Sequence, residues 1–132
     1  MPKKAPAKIL VIDDDPSTVR LLEKWLAVAG YDVLSAFNGT SGVVKAKEGK
    51  PDLILLDVMI PDLSGAEVTK KLKEDDATRQ IPIVFITVTI SKRNDKISKH
   101  IEIDGQLYQA FAKPLYQPKL LSVIRKLIRR PS

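Results

Sequence analysis

Residues 51–65, Pro-Asp-Leu-Ile-Leu-Leu-Asp-Val-Met-Ile-Pro-Asp-Leu-Ser-Gly, constrain the fold more than any other stretch of this sequence. Leu53 to Leu56 are four consecutive apolar residues, the pattern of a strand buried on both faces, and they run directly into a carboxylate, Asp57. Pro61 has no N–H with which to continue a ladder, and Ser64-Gly65-Ala66-Glu67 has the Ser-x-x-Glu spacing of a capping box that opens a helix. A strand covered on both faces belongs to a parallel sheet, and in open sheets of that kind ligands gather at the carboxyl ends of the strands. Asp57 stands at such an end.

The rest of the chain repeats the theme. Lys8 to Ile12 reads as a strand ending in Asp13, Asp14 and Asp15; Asp15-Pro16 then starts a helix that stops at Gly30. Tyr31 to Ala36 alternates more and reads as a strand nearer an edge, followed by Asn38-Gly39 and a weaker helix over about Thr40 to Glu48. A polar-faced helix is expected from about Gly65 to Asp75, and Ile81 to Ile86 form the next buried strand, ending in Thr87. Val88 to Asp104 is polar with few anchors and is expected to be a loosely packed helix, with His100 a solvated residue on it. Leu107 to Ala112 is the fifth strand, ending in Lys113-Pro114, and Pro118 opens the last helix. Strands alternating with helices imply βαβ crossovers and a doubly wound parallel α/β sheet. Residues 1–7 are expected to be a disordered leader and residues 8–130 one domain.

Composition narrows the function classes. The chain of 132 residues has no cysteine, which removes disulfides and thiolate metal sites and suits a reducing cytoplasm. No apolar run approaches the roughly 20 residues of a membrane span. From Gly105 onward there is no acid, while Lys113, Lys119, Arg125, Lys126, Arg129 and Arg130 carry the whole net charge of +6. The bases of the last helix lie opposite its apolar face with no interleaved aromatics, and cations near a helix C-terminus are favoured by its dipole, so nucleic-acid binding is not expected.

The strand ends together present Asp13, Asp14, Asp57, Thr87 and Lys113. Any one of them alone is ordinarily a cap, a turn former or a loop residue, and Asp15 and Asp62 are left in that class. As a set, three carboxylates repel one another, and a divalent cation or a neighbouring ammonium relieves them. An all-oxygen site with open positions suits Mg²⁺, with Mn²⁺ able to substitute. A carboxylate such as Asp57 can attack a phosphoryl group to give an acyl phosphate, a reaction helped by a metal, a Lys and a hydroxyl donor on the phosphoryl oxygens.

The motifs Ile-Leu-Val-Ile-Asp-Asp-Asp (9–15), Leu-Ile-Leu-Leu-Asp-Val-Met-Ile-Pro-Asp-Leu-Ser-Gly (53–65), Ile-Val-Phe-Ile-Thr (83–87) and Ala-Lys-Pro-Leu (112–115) resemble the response-regulator receiver domain, the CheY-like phosphoacceptor module of two-component signalling. The resemblance runs from Lys8 to Arg130. It implies a flavodoxin-like (βα)5 fold with strand order 2-1-3-4-5, an order that comes with the family. It further implies that Asp57 is phosphorylated and that Asp14, Asp57 and the backbone oxygen of Met59 ligate Mg²⁺, with Asp13 acting through water. Thr87 then holds a phosphoryl oxygen and Lys113 pairs with the phosphorylated carboxylate. The implied partners are a sensor histidine kinase or phosphotransfer protein and a downstream protein target. The chain itself is expected to be a cytoplasmic single-domain regulator, as a monomer or a phosphorylation-dependent dimer.

Two positions depart from the family pattern. Val88 stands where Ala or Gly is usual after the threonine, and Ala110 stands where an aromatic that rotates on activation is common. Tyr108 shares a strand face with Ala110 but lies two residues back. These departures bear on access to the site and on signal output. They also leave a second reading, a receiver-like scaffold that works without phosphorylation. A flavodoxin-like cofactor binder is disfavoured, because Asp13-Asp14-Asp15 has the wrong charge for a phosphate-cradling loop.

Overall fold

The computed structural model describes residues 6–87, 98–113 and 115–128. The expected leader therefore lies largely outside the described residues, as does Val88. Six strands and four helices follow in the order β1 (Lys8–Ile12), α1 (Pro16–Val28), β2 (Asp32–Ala36), α2 (Gly39–Gly49), β3 (Leu53–Asp57), α3 (Gly65–Lys73), β4 (Ile83–Thr87), β5 (Ser98–Ile103), β6 (Gln106–Ala112) and α4 (Gln117–Ile128). They form one sheet of order β2-β1-β3-β4-β6-β5. From β2 through β6 the pairing is parallel, and β5 joins β6 antiparallel.

Every residue of β3 and of β4 is buried, as continuous apolar runs in a parallel sheet require. Alternate side chains divide between two cores. Leu10, Ile12, Ile54, Leu56 and Phe85 meet α2 and α3 through Val43, Ala46, Val68 and Leu72. Ile9, Val11, Leu53, Leu55, Val84 and Ile86 meet α1 and α4 through Val19, Leu22, Leu26, Leu120 and Ile124. Both helical layers therefore lean on the central strands, and the sheet is doubly wound. The β2 strand, only partly buried over most of its length, lies at one edge as expected.

The helix starts follow local chemistry. Asp15 caps α1, its Oδ1 accepting the Ser17 N–H at 3.0 Å, with Pro16 in the first turn. Ser64 and Glu67 complete the capping box of α3 in both directions. Gly65 is needed for a different reason. A Cβ there would stand 3.0 Å from the Phe85 ring and from Val58 Cα, and 3.3 Å from the Asp57 carbonyl oxygen. Only glycine lets α3 begin this close to the strand that carries Asp57.

The segment expected to be a fourth of five helices departs from that expectation. Within it, residues 88–97 lie outside the described residues, and Ser98–Ile103 is a strand. It pairs with β6 across a two-residue turn, with Ile103 opposite Gln106. Both turn residues have positive φ, 51° at Asp104 and 81° at Gly105, the conformation that Asp-Gly favours between antiparallel strands. Ile101 and Ile103 pack on the α2/α3 side of the sheet, and Glu102 alternates away. Two-residue alternation around an Asp-Gly turn outweighs the segment's polarity. His100 is exposed as expected, but on a strand.

Candidate functional site

Asp13, Asp57, Thr87 and Lys113 each sit at the carboxyl end of a strand. Asp13 follows β1, and its main-chain N–H donates to Ala36 O at 3.1 Å, so the acid is fixed where β1 leaves β2. Asp57 is the last residue of β3, and Lys113 follows β6. The register Asp57–Ile86 and Thr87–Ala112 brings these ends level across three strands. Asp13, Asp57 and Thr87 are buried, whereas Asp14 is exposed.

Carboxylate oxygens of Asp13, Asp14 and Asp57 all lie within 4.8 Å of one another. The ammonium of Lys113 reaches over them, with its Nζ 2.7 Å from Asp13 Oδ2 and 3.1 Å from Asp57 Oδ2. It donates a hydrogen bond to Asp57, but its approach to Asp13 is that of an ion pair off the hydrogen-bond direction. The other oxygens are held by main chain. Asp57 Oδ1 accepts from Met59 N–H at 3.0 Å, and Asp13 Oδ1 accepts from Asp15 N–H at 2.9 Å.

Burial pushes the Asp13 carboxyl above its ordinary pKa and Asp57 adds repulsion, while Lys113 and the Asp15 N–H pull the other way. Burial alone would depress the Lys113 ammonium. The two carboxylates outweigh it, and its pKa is raised. At Asp13 the repulsion foreseen among three acids comes from Asp57, and the lysine already meets part of it.

A buried, imperfectly satisfied carboxylate oxygen beside two more carboxylates is the donor set of a hard divalent cation, which takes oxygen ligands and retains water. Beside it a cleft of about 390 Å³ is lined by Asp14, Val58, Met59, Ile60, Pro61 and Ser64. The Met59 side chain is exposed at its rim.

Thr87 is buried at the end of β4, and its carbonyl accepts the Lys113 N–H at 2.9 Å, so the two belong to one ladder. Tyr108 and Ala110 lie apart from the acids, buried on the α2/α3 side, with Phe111 on the opposite face. Ala110 is the register partner of Phe85. The Tyr108 ring meets the Phe85 ring edge-on at 5.7 Å and 88°, and Lys73 Nζ lies 5.9 Å from its centroid.

Asp62, read from sequence as a helix cap or turn former, is a cap, and of a helix distant in sequence. Its carboxylate accepts the N–H of Gly39 at 2.7 Å, the N–H of Thr40 at 2.9 Å and the Thr40 hydroxyl at 2.7 Å. It thus caps α2 from the loop after β3, beside Asn38, which accepts from Ser41 N–H. No local motif signals a cap donated from 22 residues away.

A family model described as "Response regulator receiver domain" matches residues 9–125. The response regulator PleD of Caulobacter vibrioides is 39% identical over 123 residues, which are 93% of this chain but 26% of PleD, so the chain spans about a quarter of that relative. The polar-differentiation response regulator DivK of Brucella anthropi is 29% identical over 93% of this chain and 97% of its own length. Among solved structures, the receiver domain of the sensor histidine kinase PA1611 from Pseudomonas aeruginosa superposes with a TM-score of 0.79 at 25% identity, covering 94% of this chain and 98% of that one. That crystal structure has a magnesium ion coordinated in its active-site cleft. The chemotaxis protein CheY4 of Vibrio cholerae gives 0.78 at 25% identity, over 93% of this chain and 99% of its own.

Proposed function

This chain belongs to the response regulator receiver domain family, and on that premise we propose that it is a phosphoacceptor switch with Asp57 as the phosphorylated residue. The observation that carries the reading is the pairing of Asp57 with Lys113 at 3.1 Å inside a cluster of three carboxylates at the strand ends.

In the proposed reaction an Asp57 carboxylate oxygen attacks the phosphorus of a phosphohistidine on a sensor kinase or phosphotransfer protein. The new O–P bond forms as the N–P bond breaks, and the imidazole leaves. The Lys113 ammonium stays beside Asp57 and offsets charge on the incoming group. Thr87, on the same ladder, offers its hydroxyl to a phosphoryl oxygen. Asp14, Asp57 and the Met59 carbonyl would hold Mg²⁺, or Mn²⁺ in its place, with Asp13 acting through water. The ion supplies positive charge to the transferring oxygens when bound.

The chain on this reading turns over no external substrate and catalyses only its own phosphorylation and dephosphorylation. Its altered surface then engages a protein target in the cytoplasm. No helix among the described residues is long and apolar enough to cross a membrane.

The test is intact-mass measurement after incubation with Mg²⁺ and acetyl phosphate. Wild-type protein should gain about 80 Da, one HPO₃, and Asp57→Asn should gain none while keeping its fold. Labelling that persists in the variant would move the acceptor elsewhere. Failure of the folded wild-type chain to label at all would favour the phosphorylation-independent scaffold.

A further inference from the structure

The sheet ends on one side in β5, with no strand beyond it among the described residues. Neither a proline nor a bulge interrupts its six paired residues, two of the devices that commonly blunt such an edge. In a two-residue hairpin of this turn type the flanking pair, here Ile103 and Gln106, exchanges hydrogen bonds, and such pairs alternate along the ladder. Ile101 therefore turns its main-chain groups toward β6. His100 and Glu102 turn theirs outward.

We infer that this edge is a self-association surface, on which β5 pairs antiparallel with β5 of a second copy. A two-fold axis normal to the sheet keeps each face on its own side, so only residues of like parity can oppose one another. An axis at His100 would set His100 against itself, and an axis at Glu102 would set two carboxylates together. An axis at Ile101 sets each His100 opposite Glu102 of the partner subunit, twice by symmetry, and Ile101 opposite Ile101. Like charges directly across a strand pair destabilise it, and an imidazole N–H can donate to a carboxylate that faces it, so the His100–Glu102 pairing favours the axis at Ile101. Both His100 and Glu102 are exposed in the single chain and free to face a partner, while half-buried Ile101 extends the α2/α3-side core across the seam.

The experiment uses the whole chain. Sedimentation equilibrium should show a concentration-dependent dimer. Glu102→Lys should weaken it about tenfold, since two imidazole–carboxylate pairs are lost, and His100→Glu combined with Glu102→Lys should restore it. Ile101 stands at a non-hydrogen-bonded position opposite itself, where Cα atoms are about 4.5 Å apart and a disulfide fits. The chain lacks cysteine. Mild oxidation of Ile101→Cys should therefore cross-link copies much faster than oxidation of Ile103→Cys. A chain that stays monomeric, a dimer indifferent to Glu102→Lys, or equal cross-linking of the two cysteine variants would overturn the proposal, leaving the edge to another protein or to solvent.

Discussion

Lys113 stands closer to Asp13 than to Asp57, at 2.7 Å against 3.1 Å. The lysine thus pairs with the buried acid of β1 as well as with Asp57. Removing the ammonium strands a carboxylate that is fully buried. Lys113→Met should destabilise the cation-free protein by about 3 kcal/mol, the lower end for a broken buried pair. Urea unfolding in EDTA measures it, and a loss under about 1 kcal/mol would show that Asp13 simply takes up a proton instead.

Asp14 differs from its neighbours by being exposed, and it is not among the charges that shift Asp13. Asp14→Asn should therefore change stability in EDTA by no more than about 0.5 kcal/mol, the range of ordinary surface changes. The rise in melting temperature on adding Mg²⁺ should vanish, because that rise is binding energy. A variant still stabilised by Mg²⁺ would place the ion elsewhere.

Asp62 links the loop after β3 to the start of α2, and its three hydrogen bonds, those from Thr40 first, hold its carboxyl well below the usual 3.8. The unfolded chain therefore binds more protons than the folded one as pH falls through 3.8, and the stability gained from the clamp is lost there. Asp62→Asn should show a shallower loss of stability below about pH 4, by up to about one proton equivalent. Melting curves from pH 6 to pH 2 test this, and superimposable slopes would refute it.

Gly65 leaves no room for a side chain between Phe85, Val58 and the Asp57 carbonyl. Gly65→Ala should cost about 1–2 kcal/mol, as modest overpacking does, and should slow labelling of Asp57 by moving the strand end. Unchanged labelling with reduced stability would show that α3 yields and β3 does not.

Tyr108 is buried edge-on against Phe85, so turning the ring would break core contacts. Activation with beryllofluoride should leave its ring resonances nearly unshifted, with the change carried by Thr87. Tyr108→Ala should cost about 3 kcal/mol, as large aromatic deletions in cores do. A large shift of the Tyr108 ring on activation would contradict this.

Much of the fold could be read from composition patterns because buried parallel strands are short apolar runs, and Ile9–Ile12, Leu53–Leu56 and Ile83–Ile86 are unmistakable. Asp13, Asp57 and Thr87 were legible for the same reason, since each directly follows such a run. The hairpin was not read, although Asp104-Gly105 between Ile-Glu-Ile and Leu-Tyr carries the two-residue signal. Polarity and the family pattern both argued for a helix, and local alternation prevailed. The Asp62 clamp and the Asp13–Lys113 ion pair arise only when distant segments meet, which no local spacing encodes.

The turn at Asp104-Gly105 also bears on how the chain assembles. Each parallel pairing must wait for a crossover to close, whereas β5 and β6 need to close a loop of only two residues. Hairpins of this kind form in microseconds. The two strands are thus the most local pairing in an otherwise long-range topology. Slow folding then belongs to the β1–β3–β4 centre, and with it the moment at which Asp13, Asp57 and Lys113 first meet.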